Sequence, residues 1–151
     1  LLGLASGPAL AALGASVTLA NGQPTDIYPG QTTQLQITLS NSNDTASVTN
    51  VAFSNSLPGA LPNGLKVAGA ATYTCTNPAG PSTGPGSGVF SAVIGSQSIS
   101  LSGGVIPARA NGSDGVCVIT IPVTAGSNSG NSATYNYVIA SGSVGQLLLS
   151  R

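Results

Sequence analysis

The chain has 151 residues, only 4% of them charged, and three basic against three acidic side chains leave no net charge. Three basic residues cannot neutralise a phosphate backbone, which excludes nucleic-acid binding. With no Glu, no His and a single Lys, the chain also lacks a base beside a nucleophile, so it reads as a non-enzyme.

Helix is disfavoured, because 21 Gly, 10 Pro and many Ser, Thr and Asn stand where helix formers would be needed. A hydrophobic fraction of 41% argues against disorder, and the length suits one domain. An uncharged molecule lacks the repulsion that keeps copies apart, which disfavours a freely diffusing monomer.

The chain opens LLGLASGPALAALGA, and its first charge is Asp26. Three readings compete for residues 1–15: the end of a secretory signal peptide, a transmembrane helix, or a segment buried against protein. Gly3, Ser6, Gly7, Pro8 and Gly14 dilute it too far for a span. We take residues 1–15 as an apolar N-terminal extension and residues 16–151 as the folded domain, with no membrane span in the mature chain.

Beyond it, apolar residues alternate with a period of two. ASVTLA is a first candidate strand. QLQITLSN sets Leu35, Ile37 and Leu39 on one face, and VTNVAFSN does so with Val51 and Phe53. ATYTC aligns Ala71, Tyr73 and Cys75, and a Gly/Pro-rich loop is expected over residues 76–88. VFSAVI follows, then QSISLSG with Ile99 and Leu101 inward. VCVITIPV aligns Cys117, Ile119, Ile121 and Val123, while Val116 and Val118 suggest a strand covered on both faces. ATYNYVIA and VGQLLLS close the chain. Turns at Tyr28-Pro29-Gly30, Leu57-Pro58-Gly59, Pro62-Asn63-Gly64, Gly103-Gly104 and Asn111-Gly112 separate the runs. Seven to nine short strands with turns between them predict an all-β sandwich.

Cys75 and Cys117 are the two cysteines. In a chain that looks secreted they most simply form one disulfide, the alternative being two buried thiols. Closing a loop of about 43 residues stabilises the fold by roughly 4 kcal/mol. Two Cys without His cannot complete a tetrahedral metal site, and no cofactor is implied.

The order of these pieces carries a resemblance. IYPGQTTQLQITLSNSND, then VTNVAFSNSLPGALPNGLKVAG, then a Cys, ISLSGGVIPA, a second Cys in CVITIPVTA and YNYVIASGSV resemble the immunoglobulin-like conserved repeat domains of bacterial surface proteins. The match covers about residues 16–144. It implies an immunoglobulin-like β-sandwich serving as a stalk module, with no shared catalytic residue. One departure is Asn55-Ser56 before Leu57-Pro58, where that family usually has an Asp, which puts any cation or capping role of that Asp in doubt.

Other constellations are weaker. Lys66 with Asp26 or Asp114 has the residue types for an intramolecular isopeptide bond, but an exposed turn lysine is the simpler reading. Asn41, Asn43 and Asp44 offer too few carboxylates for calcium, so no metal is expected. Asn43 and Asn111 begin glycosylation-type triplets. Tyr28, Tyr73, Tyr135 and Tyr137 suggest a sugar platform only faintly, since strand spacing sends some of them to the core.

These readings converge on a secreted or cell-surface structural subunit. The leucines at its ends, Leu1, Leu2, Leu4, Leu10 and Leu13 with Leu147, Leu148 and Leu149, are the candidate assembly residues. They would bury against identical subunits in a head-to-tail filament, with strand donation between copies. The alternative is a non-polymerising stalk or adhesin module that binds a surface ligand or glycan.

Overall fold

The computed structural model describes residues 13–24, 26–43, 45–80, 82–126, 134–138 and 146–150. These hold eleven strands and no helix. They are β1 (Leu13–Leu19), β2 (Thr32–Asn41), β3 (Val48–Ser56), β4 (Leu65–Val67), β5 (Thr72–Asn77) and β6 (Ser82–Pro85), followed by β7 (Ser87–Ala92), β8 (Ser98–Ile106), β9 (Gly115–Ala125), β10 (Thr134–Val138) and β11 (Gln146–Ser150). Nine of them form a two-layer sandwich. One antiparallel sheet has the order β1-β2-β9-β5-β6, with β4 also paired to β9, and the facing sheet has the order β3-β8-β7. β10 and β11 form a separate hairpin, and β11 runs close to β1.

Alternation builds the core. In β9 every second residue from Gly115 to Ala125 is buried, including Cys117, Ile119, Ile121 and Val123. β2 pairs with β9 over ten residues and sends Leu35, Ile37 and Leu39 into the same layer. Val51 and Phe53 of β3, and Ile99, Leu101 and Ile106 of β8, close it from the opposite sheet. Burying a Leu or Ile side chain contributes about 1.5–3 kcal/mol, so this interlocked set is the main source of stability. Val116 and Val118, on the other face of β9, are half-buried and not covered like the inner row.

Three features differ from the expected elements. β1 begins at Leu13, inside the expected extension, because Leu13, Gly14 and Ala15 pair with Asn41, Ser40 and Leu39. Gly14 lies directly opposite Ser40, whose hydroxyl would have to rotate away from a methyl group placed there. The Gly/Pro stretch after Cys75 is a hairpin and not a loop. Thr83 lies opposite Thr76 with their hydroxyls 2.9 Å apart, and Pro85 sits on an edge strand where a missing N–H is tolerated. β4 was not expected at all. It is three residues long, yet Leu65 and Val67 are fully buried against β9. The Asn111-Gly112 turn forms as expected, with φ of 52° and 78°.

Candidate functional site

The cysteines are paired. Cys75 of β5 and Cys117 of β9 lie directly opposite each other, with Cα atoms 4.0 Å apart, and form a disulfide. It therefore joins neighbouring strands within one sheet.

Two amides fasten the ends of the sandwich. Asn41, at the end of β2, is completely buried. Its Nδ2 donates to the carbonyls of Ala46 at 3.0 Å, Ile106 at 3.4 Å and Pro107 at 3.0 Å, and its Oδ1 accepts from the Asn43 N–H at 2.9 Å. That arrangement ties the β2–β3 turn to the end of β8. It also removes Asn41 from any cation site, because its amide nitrogen faces carbonyl oxygens. Asp44 lies outside the described residues.

At the other end Gln97 Nε2 donates to Leu57 O at 3.2 Å, Gly59 O at 2.6 Å and Leu65 O at 2.9 Å. It clamps the segment NSLPGALPNGL, whose Leu57 and Leu65 are buried. Gly64 must be glycine here, since a Cβ would meet the Gly59 carbonyl and the Gln97 amide. We expect Gln97→Leu to cost about 2 kcal/mol, by leaving three carbonyls short of a donor. A lowered denaturant midpoint, with faster amide exchange confined to residues 57–67, checks this.

The other candidates are dispersed. Asn43 is half-buried and its Oδ1 accepts from the N–H and hydroxyl of Thr45, closing a turn. Asn111 is exposed and its amide donates to Pro78 O at 2.9 Å. Leu13 packs against the core from β1, whereas Leu1, Leu2, Leu4 and Leu10 lie outside the described residues. Leu147, Leu148 and Leu149 belong to β11, opposite Tyr137, Asn136 and Tyr135 of β10 in the ladder.

Lys66 lies in β4 opposite Thr124 and is half-buried, in a strand and not the exposed turn expected. Asp114 precedes the start of β9, about 30 Å from that register along the strand, and ion-pairs with Arg109 at 3.5 Å. Asp114 is therefore no partner for an isopeptide bond. The Arg109–Asp114 pair is exposed and contributes little.

Lys66 instead lines an open groove of about 510 Å³ with Gly30, Thr32, Ile94, Gly95 and Thr124. Among the described residues no three His, Cys, Asp or Glu converge on a metal position. No helix among them is long and apolar enough to cross a membrane.

Tyr73 is committed to the fold and not to a sugar platform. Its hydroxyl donates to Ser87 O at 3.1 Å, and its ring lies 6.3 Å from that of Phe90. Burial pushes its phenol above the ordinary value of 10.0. A raised acid pKa means that the folded state holds the proton more tightly than the unfolded chain. Its stabilising effect is complete below pH 10 and is lost as pH rises through the folded value. A titration of phenolate absorbance should therefore contain a late component that Tyr73→Phe removes.

No curated protein and no solved structure matches the chain. The sequence pattern of one domain family does match, over residues 19–144, which spans the sandwich from the last residue of β1 to beyond β10. The chain belongs to that family, the domain of unknown function DUF7933.

Proposed function

We propose that this protein is a structural subunit of an extracellular homopolymer, a pilus, fibre or sheath, joined by burial of apolar segments and β-strand donation between copies. The observation that carries this reading is a folded sandwich with almost no charge that still exposes large apolar side chains, Val89, Val93 and Ile94 among them. Such surfaces associate unless charge prevents it. The disulfide supports an oxidising location outside the cytoplasm.

Electron microscopy and size-exclusion of the chain, with and without residues 1–12, test the proposal. β1 starts at Leu13, so this deletion removes no described strand. Filaments from the whole chain and monomers from the shortened one are expected. Monodisperse monomers from the whole chain would reject the polymer and favour a stalk or adhesin module. The groove beside Lys66 gives that second reading its own candidate ligand site.

A further inference from the structure

We infer that the outer edge of β7 is the acceptor site for residues 1–12 of a second copy. This rests on the polymer reading and specifies where the donated segment goes. β7 is the terminal strand of the β3-β8-β7 sheet, and among the described residues it pairs only with β8. Sheet edges are normally protected by charge, proline, bulges or brevity. Among the described residues β3 is protected: its ladder has two register shifts, and Asn50 sits at φ 55°. β6 is four residues long and ends in Pro85. β1 has β11 beside it. β7 has little such protection. From Ser87 to Ile94 there is neither a charge nor a proline. Its one irregularity lies at its start, between Ser87 and Val89, and Val89 to Ala92 then pair continuously with Ser102 to Ile99.

The side chains mark the same place. Among the described residues the exposed large hydrophobics are Tyr28, Leu61, Val89, Val93 and Ile94, so three of these five fall within residues 89–94. On the inner face Phe90 and Ala92 pack on the core but stay half-buried. Among the described residues nothing closes the core along this flank, and an added strand would cover it with its own inward side chains.

Residues 1–12 have matching chemistry. They carry no charge, and Leu2, Leu4 and Leu10 fall on one face at a period of two. Extended, they reach about 40 Å, against about 20 Å for β7. The surplus length spans to the β1 that follows. Pairing of β7 with β7 of another copy is a poorer solution, because that symmetric contact closes a dimer and stops growth.

The test uses the full chain with a photoreactive leucine analogue at position 4, mixing heavy-isotope-labelled and unlabelled copies. Cross-links between copies, from position 4 to residues 87–94, are expected in filaments. Val89→Lys, at a site already exposed, should keep the sandwich and its melting temperature yet lower filament yield at least about tenfold, by placing a charge where a strand must pair. Val89→Thr should retain filaments. Filaments whose position-4 cross-links between copies fall elsewhere, such as on β3, would overturn this site while leaving the polymer standing. So would wild-type filament yield from Val89→Lys. Cross-links only within one copy, with no filaments, would reject both proposals.

Discussion

Asn41→Leu should lower the stability of the sandwich by about 3 kcal/mol and its melting midpoint by about 10 °C, although it keeps the side chain's heavy-atom count and branching. The buried amide satisfies three carbonyls and one N–H, drawn from the β2–β3 turn and from the residues at and just after the end of β8. A leucine leaves those groups short of partners in a place poorly reached by water. Asn41→Asp is nearly isosteric and should be worse at neutral pH, because it turns a carboxylate toward carbonyl oxygens. Burial and those oxygens raise the pKa of the introduced carboxyl in the folded state. The variant should therefore be strongest below the ordinary carboxylate pKa and weaken as pH rises through the folded value. Chemical denaturation of the three proteins across pH provides the check. Equal midpoints for wild type and Asn41→Leu would contradict the argument.

Removing the disulfide should have a comparable effect. Cys75 and Cys117 are 42 residues apart in sequence. Restricting the unfolded chain to that closed loop stabilises the fold by about 4 kcal/mol. The double variant Cys75→Ala/Cys117→Ala also loses sulfur atoms from the strand pair, one of them fully buried. Denaturant midpoints of the oxidised protein, the reduced protein and the double variant separate the two contributions. The reduced protein reports the cross-link, and the further drop in the variant reports packing. The Cys117 sulfur is buried and the Cys75 sulfur only half-buried, so attack in native buffer is confined to Cys75, and slower reduction there than in denaturant is also expected.

The sequence revealed the fold where alternation was long. Leu35, Ile37 and Leu39, then Ile99 and Leu101, then Cys117, Ile119, Ile121 and Val123 all point inward as their spacing requires. Such runs are legible because one face of each strand meets the opposite sheet. Shorter elements were not legible. β4 has three residues, too few for a period, and β6 is written STGP, which reads as turn chemistry unless its partner strand is known. The two amide clamps left no signal either. Asn41 looked like one more turn residue in SNSND, and its role depends on Ile106 and Pro107, 65 and 66 positions away. Gln97 serves carbonyls up to 40 positions distant. The disulfide was legible from the count of cysteines, but its place between adjacent strands of one sheet depends on the register of β5 with β9.

That placement has a mechanical consequence. If the molecule is stretched from its two ends, the load passes from Cys75 to Cys117 through sulfur, and the 42 peptide steps of backbone from one to the other bear no tension. About 150 Å of contour length is thereby withheld from extension. A pulled subunit can pay out only its flanking segments, and β7 and β8 stay inside the slack ring.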